Sequence, residues 1–150
     1  MMRRNILIGV LITAILFISV TCIAEKSHNI EIEKNIDQCY LTCYNALVLN
    51  MLNMTVEGIG EAAMDRYNIE NTKYGYMLST IHSISSYAKN NSDLNEIIMW
   101  LDQVTGYDAV YSVNMSKQLY DKLKLVPNNN FGDSKIIAEA KKALENSIVK

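Results

Sequence analysis

The chain has 150 residues, one domain's worth, of which 49% are apolar, so it can build a core and is not a disordered tail. One proline and six glycines exclude a turn-rich all-β fold. Fourteen basic and sixteen acidic residues, dispersed and with no basic cluster, argue against nucleic acid and against docking on anionic lipid.

Arg3 and Arg4 precede the uncharged run NILIGVLITAILFISVTCIA, which reads as an export signal over residues 1–24. The small residues Cys22 and Ala24 stand three and one positions before the expected cleavage point, so the mature chain starts at Glu25. Two alternatives stand beside this. One is an uncleaved anchor over residues 5–24, close to the ~20 residues that span a bilayer, with both arginines cytoplasmic. The other is lipid attachment at Cys22, against which the bulk of Thr21 counts. In every case the rest of the chain works outside the cytoplasm, whether secreted, periplasmic or held at the cell surface. Two of the fourteen basic residues and none of the sixteen acidic ones precede residue 25, so the remainder carries a net charge of −4.

Residues 25–35 form a polar lead-in, and residues 36–150 form the domain. The first expected helix runs from Ile36 to Tyr67, capped by Asn35 or Asp37. Its apolar stripe is Ile36, Tyr40, Cys43, Leu47, Met51 and Met54, widened by Leu41, Tyr44, Val48 and Leu52. Gly58 and Gly60 are its weak points. A second helix is expected over Thr72–Lys89, capped by Asn71, with Tyr74, Met77, Leu78, Ile81, Ile84 and Tyr87 facing inward. A third starts at Ser92 or Asp93, where Asp93 and Glu96 have the spacing of a capping box. Leu94, Ile97, Ile98, Leu101 and Val104 form its inner face. Gly106 either interrupts this helix or lets it run on through Met115, Leu119 and Leu123, and the stretch AVYSVNM also alternates like a strand. VPNNNFGDS reads as a loop. A last helix follows from Ser134, capped by Asp133 or Ser134, with Ile137, Ala140, Leu144 and Ile148 on one face. Short links between such helices predict an all-α antiparallel up-and-down bundle of about four helices.

Without Cys22 the mature chain keeps two cysteines, Cys39 and Cys43, in a compartment that permits disulfides. Helix positions i and i+4 hold Cβ atoms roughly 5–6 Å apart, whereas a disulfide wants roughly 3.5–4.5 Å, so an internal bridge is strained. Buried free thiols, a strained bridge at a frayed first turn if Asp37 caps the helix, a bridge between two chains through Cys39, and a soft-metal site remain as readings. Cys43 is the core candidate and Cys39 the more accessible one. The Cys-x-x-x-Cys spacing resembles that of helical copper-storage proteins, which implies Cu(I) held by thiolates. Those proteins carry many cysteines, and this chain has one pair.

Glu57, Glu61 and Asp65 line one helix face as an acidic interaction surface. A di-iron centre would need Glu-x-x-His motifs on facing helices, which this pattern lacks. His82, next to the apolar face of the second helix, is a candidate pH sensor. Asn53, Asn90 and Asn114 match the glycosylation pattern. No phosphate loop, nucleophile elbow or zinc-binding histidine pair occurs. The expectation is a binding, adaptor or ligand-sensing module rather than an enzyme, with no cofactor. Its partner is a protein or a small apolar ligand, met by a groove that the nine tyrosines could line. Membrane contact is expected only through an uncleaved N-terminal segment. The alternative is a thiol or copper protein built on Cys39 and Cys43.

Overall fold

The computed structural model describes residues 2–55, 60–88, 91–105 and 112–149, with the side chains of residues 2–14, 16, 17, 104, 105, 112, 113 and 149 outside that description. Its architecture is helical. In chain order the elements are α1 (Met2–Asn53), α2 (Glu61–His82), a 3-10 turn (Ser86–Ala88), α3 (Ser92–Thr105), β1 (Ser112–Val113), α4 (Lys117–Leu123), α5 (Ser134–Glu145) and β2 (Ile148–Val149). The chain divides into two compact units, Met1–Asn35 and Ile36–Lys150.

The first unit is helical. Ile15, Ile18, Val20 and Ile23 are exposed along it. Residues 25–35, expected as a polar lead-in, are helical too, because α1 starts far upstream of them. Among the described residues no helix is long and apolar enough to cross a membrane. Most of the uncharged run 5–24 lies outside the side chains described.

In the second unit the core takes up the stripe expected for residues 36–54. Tyr40, Tyr44 and Leu47 are fully buried, and Cys43, Val48 and Met51 nearly so. The helix does not reach Tyr67. It ends at Asn53, and α2 starts after Gly60, whose extended backbone (φ −73°, ψ 152°) makes it the N-cap. That backbone is open to any residue, and a Cβ at Gly60 would meet nothing within 4 Å, so the junction does not depend on glycine. Gly58 and Gly106 lie outside the described residues.

Four other expectations change. Neither Asn35 nor Asp37 caps α1, because both lie inside it. Asn71 is not a cap either. It sits buried in mid-α2, donating from Nδ2 to Met54 Sδ at 3.2 Å. Met77 and Ile84, expected inside, are exposed, while Leu78 carries the buried face with Tyr74, Ile81 and Tyr87 packed partly against it. The cap of α3 is Asn91, whose Oδ1 accepts from Leu94 N at 3.1 Å. Asp93 and Glu96 instead share Lys141 of α5 at 3.0 and 2.7 Å.

Beneath that ion-pair triad, Leu94, Ile97, Ile98 and Leu101 of α3 join Ile137, Ala140 and Leu144 of α5 in one core cluster with Leu119 and Leu123 of α4. Asp133 starts α5 as expected, accepting from the backbone N–H groups of Lys135 and Ile136. A cap of this kind contributes about 1 kcal/mol. Of the strand-like stretch AVYSVNM, Ser112 and Val113 form β1, paired antiparallel with β2 in the register Ser112–Val149 and Val113–Ile148, and residues 109–111 lie outside the described residues.

The link between α4 and α5 is a chain of tight turns. Asn128 N–H bonds Leu125 O, Asn130 N–H bonds Pro127 O, and Gly132 N–H bonds Asn129 O. Three successive residues, Asn129, Asn130 and Phe131, have φ of 52°, 53° and 59°. Asparagine accepts that left-handed region fairly readily, whereas for phenylalanine it costs roughly 1 kcal/mol or more. A Cβ at Gly132 would lie 2.9 Å from Asn129 O, so the turn needs glycine there.

Candidate ligand-binding site

The cost at Phe131 is offset by where its ring goes. Phe131 is 2% exposed. It meets Tyr40 edge-on at 5.3 Å between ring centroids, Tyr44 edge-on at 5.4 Å, and Tyr87 tilted at 4.8 Å. Edge-to-face pairs of this sort each contribute about 0.5–1.5 kcal/mol beyond burial. The Tyr44 hydroxyl donates to Leu123 O at 3.0 Å, fastening the end of α4 to α1. Burial raises the phenol of Tyr44 well above its ordinary value, with the nearby Tyr40 adding to the shift. Burial alone raises Tyr40.

Tyr40 also reaches His82. Its hydroxyl lies 2.8 Å from Nδ1, and His82 Nε2 lies 2.6 Å from Asn95 Oδ1. Asn95 Oδ1 can only accept, so Nε2–H donates to it, and in the neutral ring Nδ1 then accepts from the Tyr40 hydroxyl. Both ring nitrogens are thereby engaged.

One helical turn before Tyr40, the carboxylate of Asp37 gathers the segment after α2. Its Oδ1 accepts from Ser85 Oγ at 2.8 Å and from Ser86 N–H at 2.9 Å, and its Oδ2 accepts from Ser86 Oγ. Ser85 is fully buried and its Oγ also accepts from Tyr87 N–H. Asp37 therefore caps the 3-10 turn from 48 residues away rather than the helix that carries it.

The Asp37 clasp and the Phe131 turn flank an open cavity of about 500 Å³, lined by Asp37, Ser86, Tyr87, Asn91, Asn130, Phe131, Gly132 and Ser134. That is within the usual size range for small-molecule sites. The hydroxyl of Tyr87 is raised by its burial and then by the charge of Asp37.

The residues singled out by sequence lie differently. Cys43 is buried and Cys39 half-buried on the same helix, and both are free thiols, as is the exposed Cys22. Burial pushes the Cys43 thiol up to about 11, with Cys39 adding to the shift through its charge and a hydrogen bond. The thiolate is the nucleophile, so a brief treatment with iodoacetamide at neutral pH is expected to modify Cys39 before Cys43. Peptide mass mapping reads the order, and faster labelling at Cys43 would contradict this packing. Glu61 and Asp65 are exposed on α2, and Glu57 lies outside the described residues. No group of three or more His, Cys, Asp or Glu among the described residues could hold a metal ion.

Sequence reasoning named His82 but missed Asp37, Ser86 and Phe131 as a set. The available signals were the Ser85-Ser86 pair after a helix and the Asn-Asn-Asn-Phe-Gly run, which marks a left-handed turn that points an aromatic ring inward. No protein-family model matches the chain, and comparison with curated proteins and with solved structures returns no match.

Proposed function

We propose that this is an exported helical-bundle protein that works by binding a small molecule in the cavity between the Asp37 clasp and the Phe131 turn. The observation that carries the reading is a strained loop held over a cavity by buried aromatic packing. Backbone strain of this kind persists where the surrounding structure over-determines it, and it clusters at ligand sites. The reading treats α1 from residue 36, α2, α3 and α5 as the antiparallel bundle, with α4 and its turn closing one side of the site.

Export rests on Arg3, Arg4 and the uncharged run that follows. The exposed Ile15, Ile18, Val20 and Ile23 support it, since such a row is tolerated when the segment is cleaved off or lies in lipid. Intact mass of the protein recovered from the cell envelope decides between cleavage after Ala24 and a retained anchor. An unprocessed chain confined to the cytoplasm would sink the proposal of export.

Ser134 lines the cavity from the exposed first residue of α5. Ser134→Trp is expected to fill the mouth and leave the fold intact. Small molecules found to raise the thermal midpoint of the full chain should lose at least about tenfold in affinity for this variant, the effect of ~1.4 kcal/mol. If every such ligand binds the variant as well as the parent, the site lies elsewhere.

A further inference from the structure

We infer that the cavity takes a small organic ammonium compound, with Asp37 as its counter-ion and the half-buried Tyr87 against its apolar part; the inference rests on the cavity being the ligand site. Among the described residues that line it, Asp37 is the only charged one. Among the described residues no basic side chain forms an ion pair with this carboxylate.

Structural need alone does not account for the charge. The three hydrogen bonds that Asp37 accepts would be met almost as well by an asparagine, with its amide oxygen taking Ser85 Oγ and Ser86 N–H and its NH₂ group turned to Ser86 Oγ. A carboxylate offers roughly four acceptor positions. Two are filled on Oδ1 and one on Oδ2, which leaves an acceptor position on Oδ2 for a ligand N–H.

An anion fits less well. The N-terminus of α5 adjoins the cavity at Ser134, and helix N-termini attract negative charge. Here that end is already occupied by the carboxylate of Asp133, bonded to Lys135 N–H at 3.0 Å and Ile136 N–H at 3.2 Å. A hard metal ion wants six or more oxygen ligands. Asp37 has one position to give, and Asn91 Oδ1 is already bonded to Leu94 N–H. One N–H of an ammonium group can make a charge-assisted bond to Asp37 while its others reach water through the open side, and the half-buried Tyr87 ring favours a cation nearby.

The test uses three probes of matched shape on the full chain in a nonionic detergent, followed through backbone amide resonances. Benzylammonium is expected to shift Ser86, Tyr87, Phe131 and Gly132 and to bind at least about tenfold more tightly than benzyl alcohol, while benzoate shifts none of the four; benzoate binding as tightly as benzylammonium would overturn the ammonium assignment. Asp37→Asn should erase the preference and leave benzylammonium and benzyl alcohol equal. Ser86→Ala keeps the charge and frees Oδ2, so it should keep the preference, which separates loss of charge from damage to the turn. Equal binding of benzylammonium and benzyl alcohol by the parent protein overturns the ammonium assignment while leaving the cavity as the ligand site. Absence of shifts at these four residues with all three probes overturns both.

Discussion

Replacing Phe131 with alanine is expected to lower the unfolding free energy by about 3–5 kcal/mol, the range for removing a buried aromatic ring. The ring is 2% exposed and touches Tyr40, Tyr44 and Tyr87. Truncation removes those contacts and opens a void between α1 and the turn. Nothing is regained in the backbone, because alanine at φ 59° is strained as phenylalanine is. Single domains are stable by roughly 5–15 kcal/mol, so the loss is a large fraction of the whole. Urea unfolding followed by helical circular dichroism measures it. Phe131→Leu, which keeps part of the volume, should fall between the two. A change below about 1 kcal/mol for the alanine variant would mean that the ring is not packed as described.

Alkaline pH should unfold the protein, and two buried phenols set the direction. Tyr40 and Tyr44 have their ionisation raised in the folded state, chiefly by burial. An unfolded tyrosine ionises near pH ~10. Below that value both states hold the proton and the stabilisation is complete. Above it the unfolded chain releases protons that the folded chain retains, so stability falls as pH rises toward the folded-state values. Of the nine tyrosines, Tyr40 and Tyr44 should ionise only together with loss of helix. Phenolate absorbance and circular dichroism recorded on the same samples test this. Complete tyrosine ionisation with the helix signal unchanged would contradict the burial of both. Tyr44→Phe should move the alkaline midpoint upward if its lost bond to Leu123 O does not dominate.

Parts of this architecture are legible in the sequence because the chemistry is local. The start of α5 follows from Asp133, a carboxylate that can reach the first free N–H groups of the next turn. The buried stripe Tyr40, Cys43, Tyr44, Leu47, Val48 and Met51 follows from a period of 3.6. The boundary between α1 and α2 does not. The apolar period runs on past Asn53, and only the glycines of EGIGE hint at the break.

Charged positions misled for another reason. Asp37 and Asp93 have the spacing and chemistry of caps, yet each is engaged by a distant partner: Ser85 and Ser86 in one case, Lys141 in the other. A local rule cannot register a competitor brought in by the fold. The same holds for the cavity, whose lining comes from α1, the segment after α2, and the turn before α5. Cys39 and Cys43 drew notice because they are adjacent on one helix, whereas Asp37 and Phe131 are separated by most of the domain.

That separation bears on the order in which the chain is made. Tyr44 bonds a carbonyl 79 residues later, and Asp37 bonds groups 48 and 49 residues later. The apolar face of α1 is therefore synthesised first and covered last. Until Leu123 and Phe131 have emerged, Tyr40 and Tyr44 have none of their final cover from α4 or its turn. Such long-range closure slows folding relative to helical proteins built from neighbouring contacts.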